Sequence, residues 1–435
     1  MALVHPHSAE STETGLDLFE VPPTQTAVSE GNIIEHFPLS SLSPGAPIEF
    51  TINGADENYM DLKNSFLHIR AKVTKKDGSD LDADTDVAPI NNWIHSLFQQ
   101  VDIYLNDTLV TASDNTYPYR AYLTNMLSTS RDVKSGALTT EMFYRDSSNH
   151  LDDTQGDQNY GLKVRRTFAK RSREIDMYGS LHTDLTQQSK YLLPGVTVKI
   201  KLIPSKSQFN LIAHDPAQEF QSVITHASYH VRKIKVNPAV ALAHEKVLEK
   251  VTAKYPMKRI VNKVFSVARG QLSHVQENLF HTQTPTRLFI ALTETSTFNG
   301  EYKTNPFNFK THHLNYLSLT IDGKEVTGKP LQPNYEKNQY VRCFHNLMEA
   351  LGLVNNVEGG SILEYRDFEL GYCIYGFDLS PAYLDGDSVE LRSNATVRLT
   401  LQFSEGLAEP INVFCMGVMD SIMEINKSRH VLLDY

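Results

Sequence analysis

At 435 residues the chain is too long for one ordinary hydrophobic core and fits two domains of roughly 200 residues. Apolar residues make up 40% and charged residues 21%, enough to bury a core in each half. The net charge of −10 excludes a protein that coats nucleic acid over its whole surface, while leaving room for a local basic patch.

Residues 1–30 are polar, with Pro22-Pro23, and read as an N-terminal arm with little to bury. Leu16, Leu18, Phe19 and Val21 are its apolar exception, able to dock on a neighbour or to cap the chain's own domain. MALVHPHSAESTETG holds no apolar h-region, and no apolar run approaches ~20 residues, so neither a secretory signal nor a membrane span is expected. Strand text begins at 47–54 (PIEFTING) and continues at 65–74 (SFLHIRAKVT), where Leu67, Ile69 and Ala71 share a face. The acidic stretch 77–86 reads as a loop. In 91–100, Trp93, Ile94, Leu97 and Phe98 fall at helical spacing. Residues 101–111 (VDIYLNDTLVT) read as strand, Asn106-Asp107 turn and return strand. Tyr119, Tyr122, Leu123, Met126 and Leu127 then lie on one helical face.

Residues 128–162 are polar and read as a long excursion from the core. A basic run follows, with Lys163, Arg165, Arg166, Lys170, Arg171 and Arg173. TVKIKL at 197–202 alternates cleanly, and 228–236 is a weaker strand. Asn237-Pro238 opens a helix as N-cap and N1, with Val240, Ala243, Val247 and Val251 as its apolar stripe. The helix 238–251 is the expected linker between the halves.

The second half repeats the first. LSLTIDGKEVT at 317–327 matches the 101–111 hairpin, 216 positions on, with Asp322-Gly323 as the turn. TRLFIALTET matches SFLHIRAKVT, with Leu288, Ile290 and Leu292 against Leu67, Ile69 and Ala71 at an offset of 221. YVRCFHNLM at 340–348 matches YRAYLTNML at the same 221, and TVRLTL at 396 matches TVKIKL at an offset of 199. Four matches in one order indicate duplication. Both halves are strand-rich, with few inserted helices and room for about eight strands. The expected fold is all-β, a tandem double jelly roll of two eight-stranded sandwiches. Its parts are an arm at 1–30, a first jelly roll at 31–237, a linker helix at 238–251, and a second jelly roll with C-terminal tail at 252–435. Three such two-lobed chains around a threefold axis would present six similar lobes.

Nearly the whole chain resembles the major capsid proteins of Polinton/Maverick elements and adintoviruses. The likeness rests on LVHPHS (3–8), LDLFEVPPTQT (16–26), PIEF (47–50), NNWIHSLFQQVDIYLND (91–107) and NTYPYRAYL (115–123). It continues with YGSLHTDL (178–185), LLPGVTVKIKL (192–202), GFDLSP (376–381) and MEINKSRHVLLDY (423–435). The resemblance implies a homotrimeric, pseudo-hexagonal capsomer of an icosahedral shell around double-stranded DNA, with no catalytic residues. Expected partners are further copies of the chain, penton and minor capsid proteins, and packaged DNA. The expected location is the virion capsid, assembled in the host nucleus.

The basic run 163–173 admits three functional readings: contact with DNA, nuclear import, or links to acidic loops of a neighbour. A solvated loop is the fourth. The tails, with Leu16, Leu18 and Phe19 at one end and Leu432, Leu433 and Tyr435 at the other, either reach adjacent subunits or fold back. No metal or cofactor is expected. His5 and His7 form a lone His-x-His in the arm, His312 and His313 are adjacent, and His244-Glu245 lacks a second ligand. No G-x-S-x-G elbow or phosphate loop occurs. The three sequons at Asn106, Asn394 and Asn426 read as chance matches. Cys343, Cys373 and Cys415, odd in number and widely spaced, read as buried free thiols. Two other classes remain beside the capsid subunit: a carbohydrate- or receptor-binding β-sandwich, and a cupin-like enzyme.

Overall fold

The alternation at Val101, Ile103 and Leu105 buries all three side chains, and the strand they define anchors a sheet. The computed structural model describes residues 5–128, 130–155, 157–215, 217–354, 363–381, 389–391 and 393–433. The first lobe contains β1 (Val28–His36), β2 (Ile48–Ile52), β3 (Tyr59–Lys75), β4 (Val87–Pro89) and β5 (Phe98–Leu105). It continues with β6 (Thr108–Leu109), β7 (Ile175–Gly179), β8 (Val198–Pro204), β9 (Leu211–Ala213) and β10 (Phe220–Val236). The second lobe contains β11 (Ala253–Val267), β12 (Ser273–Gln276), β13 (Arg287–Glu294), β14 (Leu314–Ile321) and β15 (Lys324–Glu325). β16 (Ile374–Asp378), β17 (Val397–Phe403), β18 (Ile411–Ile425) and β19 (Val431–Leu433) complete it.

The duplication is visible in the strand order. One sheet runs β1-β10-β3-β7 in the first lobe and β11-β18-β13-β16 in the second. The other runs β2-β8-β5-β6 in the first lobe and β12-β17-β14-β15 in the second. Each lobe is therefore a jelly roll of two four-stranded sheets. A small β4–β9 ladder in the first lobe and β19 in the second are additions. The two marker hairpins turn alike: Asn106 and Asp107 have φ of 46° and 66°, and Asp322 and Gly323 have 49° and 77°. Positive φ at both central positions matches the right-handed strand twist. The strand expected at 228–236 extends to all 17 residues of β10, whose length is set by register against β1 and β3.

The polar excursion after residue 128 does not leave the core. Its apolar minority, Leu138, Met142, Phe143 and Leu151, is buried, and its polar groups join the lobes. Asp146 accepts from Asn305 Nδ2 of the second lobe at 3.1 Å, and Tyr372 Oη donates to the Asp146 carbonyl at 2.6 Å. The helix Tyr117–Ser128 penetrates the second lobe's core: Tyr122 stacks on Phe307 at 4.0 Å, and Tyr119 on Phe298 at 5.1 Å. Tyrosines that look like core of their own half are thus the joint between halves.

Candidate assembly surface

β11 and β1 are topological equivalents, each at the end of its sheet, but their outer edges differ. β18 pairs with β11 along its whole length on one side. On the other side stands the first lobe of the same chain. Asp184 opens the helix Asp184–Gln187, which Thr183 caps. Asp184 Oδ1 accepts the Ile260 backbone N–H at 3.1 Å and Arg120 Nη2 at 2.6 Å. Asn262 Nδ2 donates to Thr116 Oγ1 at 2.8 Å. Arg120 and Asp184 are both buried, so an edge amide of β11 is satisfied inside the chain.

β1 pairs with β10 on one side only among the described residues. Ile33 is 60% and Ile34 40% exposed, with Phe37 and Leu39 exposed just beyond. Beside β1 lies a groove of about 880 Å³, walled by Glu30, Asn32 and Ile34, the 55–59 loop, and the helix Pro238–Leu248. The ion pairs Lys233–Asp56 and Arg429–Glu245 flank it. The expected apolar stripe of that helix does not face inward. Val247 and Val251 are exposed, Leu242 is 71% exposed, and of the helix only Leu248 is buried. Among the described residues nothing lies over this side, and its apolar groups face outward. An uncovered strand edge with exposed isoleucines, beside a mixed polar groove and a helix with exposed apolar side chains, marks a candidate interaction surface.

The second lobe carries a complementary asymmetry. Arg120 sits in the β11 joint, and the residue matched to it at the offset of 221 is Val341, at the start of the helix Val341–Ala350. Val341 is 62% exposed. The position that Arg120 occupies behind Asp184 in the first lobe therefore has an exposed counterpart in the second.

In the arm, Leu16, Leu18 and Phe19 are all exposed. The C-terminus folds back: Val431–Leu433 pairs antiparallel with Met423–Ile425, and Leu433 packs on the first lobe's core while Leu432 stays exposed. Tyr435 lies outside the described residues. The turn before β19 is clasped by the marker hairpin, with Asn106 Nδ2 donating to the Arg429 carbonyl at 3.0 Å.

The basic run divides in two. Arg165, on the helix Tyr160–Ala169, is fully buried, with Nη2 at 2.7 Å from Asp146 Oδ1 and further bonds to the carbonyls of Pro89 and Tyr144. Arg166 is half-buried against Asp86 and the carbonyls of Thr154 and Gln155. These two cations hold the insertion in place, and no packaged ligand can reach Arg165. Lys163, Lys170, Arg171 and Arg173 are exposed, with no salt-bridge partner among the described residues.

The outer face of β3, β7 and β10 is rich in histidine. His68 Nε2 lies 2.6 Å from Asp176 Oδ1, and His230 Nε2 3.5 Å from Glu35 Oε1. Hydrogen bonding to Ser228, helped by His230, His226 and His68, holds the Glu35 carboxyl below its ordinary range. All three cysteines are free and buried. Burial pushes the Cys343 and Cys373 thiols up to about 12, which leaves them unreactive as nucleophiles. No helix among the described residues is long and apolar enough to cross a membrane.

No family model matches the chain. The uncharacterized protein F54H12.2 of Caenorhabditis elegans is 24% identical over 428 residues, spanning 95% of this chain and 99% of that protein. Among solved structures, a chain of the Sputnik virophage superposes with a TM-score of 0.64 and 11% identity, covering 100% of this chain and 94% of that one. The Faustovirus major capsid protein gives 0.63 and 8%, covering 95% and 93%. The mavirus major capsid protein gives 0.53 and 12%, covering 100% and 97%. At these identities the likeness is one of fold, extending over both jelly rolls.

Proposed function

We propose that this chain is a structural protein, the major capsid subunit of an icosahedral shell. The observation that carries the reading is the contrast between β11 and β1. Each chain makes its lobe-to-lobe joint at β11 internally and leaves the equivalent edge, β1, uncovered among the described residues. A neighbouring copy would close it with the surface around Val341, and three copies would close the ring as six similar lobes. The uncovered edge, the polar-lined groove and the exposed apolar residues of the helix offer a surface on which an extensive interface could form. In this reading residues 31–237 and 252–435 each supply one lobe, and no step of the function is catalytic.

The likeness in fold to viral major capsid proteins supports the class. The motifs shared with Polinton/Maverick and adintovirus proteins support the finer lineage, and with it a double-stranded DNA genome and assembly in the nucleus. Penton and minor capsid proteins are the further partners. Lys163, Lys170, Arg171 and Arg173 are the cations free to meet DNA phosphates or a neighbour's acidic loops. The arm around Leu16, Leu18 and Phe19 is the segment free to reach an adjacent capsomer.

The test is to express the chain alone, weigh it in solution and image it. The expected result is a stable species of three times 49.1 kDa with a pseudo-hexagonal outline. A persistent monomer, as a ligand-binding β-sandwich would give, sinks the proposal.

A further inference from the structure

We propose that the first lobe holds a structural divalent-metal site, of the zinc class, formed by His95, Glu141 and His182. His95 lies on the short helix Trp93–Ser96, Glu141 ends the 3-10 turn Ala137–Glu141, and His182 follows β7. All three side chains are buried, and one ligand atom of each lies within 4.8 Å of the others.

The observation that demands a ligand is His182. It is 95% buried (relative exposure 5%), yet neither ring nitrogen has a hydrogen-bond partner among the described residues. A neutral imidazole so placed leaves a donor and an acceptor unmet, at about 1–3 kcal/mol each. A metal cation engages a ring lone pair directly and is balanced in part by the Glu141 carboxylate.

One ligand pair, hydrogen-bonded to each other here, already stands at metal-ligand spacing. His95 Nε2 and Glu141 Oε2 are 3.2 Å apart. A tetrahedral zinc with bonds of about 2.0–2.1 Å holds neighbouring ligand atoms roughly 3.3 Å apart. Two imidazoles and a carboxylate are a three-ligand zinc donor set, the fourth tetrahedral position falling to a water taken up with the metal. The outer groups that fix such ligands are also present. Tyr117 Oη is 2.9 Å from His95 Nδ1 and accepts the His182 backbone N–H at 3.3 Å. Asn125 Nδ2 donates to Glu141 Oε2 at 3.0 Å. Such partners hold ligand rings in the required tautomer and orientation. The metal would tie three segments distant in sequence, directly beneath the Asp184 contact that covers β11. It would be taken up as the chain folds, since the site is closed to solvent.

The experiment is metal analysis of the untagged full chain purified from zinc-supplemented cells without chelator. One zinc per chain, retained on dialysis, is expected. His182→Gln and Glu141→Gln should each lose it, while His68→Ala/His230→Ala, which removes the half-buried histidine cluster on the sheet's outer face, should keep it. Tyr117→Phe should weaken zinc binding by about 10–100-fold with the fold intact. Should the ligand variants fail to fold, the wild-type chain refolded with Co²⁺ serves instead, and the visible absorption of tetrahedral cobalt is expected. Three results overturn the proposal: a folded wild-type chain with substoichiometric metal and no change in melting temperature on zinc addition or chelation, zinc lost from the His68/His230 variant but kept by His182→Gln, or refolded chain without cobalt absorption.

Discussion

β11 and β1 have the same neighbours in topology and opposite surroundings in space. β11 has an edge amide capped by Asp184 and a side chain tied to Thr116, both from the first lobe. β1 offers Ile33 and Ile34 to solvent beside a mixed polar and apolar groove. Duplication yields two copies of an edge but only one internal partner, so a single chain is left with an unsatisfied half. Under the proposed function, that asymmetry is what a second copy of the chain would satisfy.

Four measurements break or sharpen the contrast. Asp184→Ala removes the partner of buried Arg120 and the cap on Ile260, and should cost about 3–5 kcal/mol in urea unfolding. Acid comes next. Burial lowers His312 from 6.5 to about 4, with Glu294 opposing and Lys310 and His313 reinforcing the shift. The folded state therefore binds fewer protons between those values, so stability is present above pH 6.5 and falls as pH drops towards 4. Because the lobes share the Tyr122–Phe307 joint, one cooperative acid transition is expected by circular dichroism, and two separate ones would show that the joint is weak. Asn262→Ala should cost about 1 kcal/mol, the value of one buried hydrogen bond. Ile33→Asp with Ile34→Asp should change monomer stability by only about 0.5 kcal/mol, yet abolish the trimer in sedimentation. An unchanged trimer there would move the assembly surface away from β1.

Much of this was legible in the sequence. Period-two alternation and turn chemistry are local, so the marker hairpins and their duplication can be read directly, and the two turns share their left-handed backbone. The Tyr117–Ser128 helix was equally plain. Its destination was not, because an apolar face states that it will be buried and not against what. The basic run misled for a related reason: charge in a sequence suggests exposure, but Arg165 finds Asp146 in the interior. β1 went unread because Ile33-Ile34 sits in GNIIEHF, which has neither period. The cluster of His95, Glu141 and His182 has no spacing signal, since its members come from three separate elements.

By itself, then, the sequence determined what depends on near neighbours along the chain: strands, tight turns, the repeat and the all-β class. Only the tertiary structure decided which of two equivalent edges is covered, which cations are spent inside, and that the apolar stripe of the Pro238–Leu248 helix faces outward. Those outcomes depend on contacts between segments a hundred or more positions apart. A residue's local pattern carries the need for a partner, and only the folded chain supplies one or leaves the place for another copy.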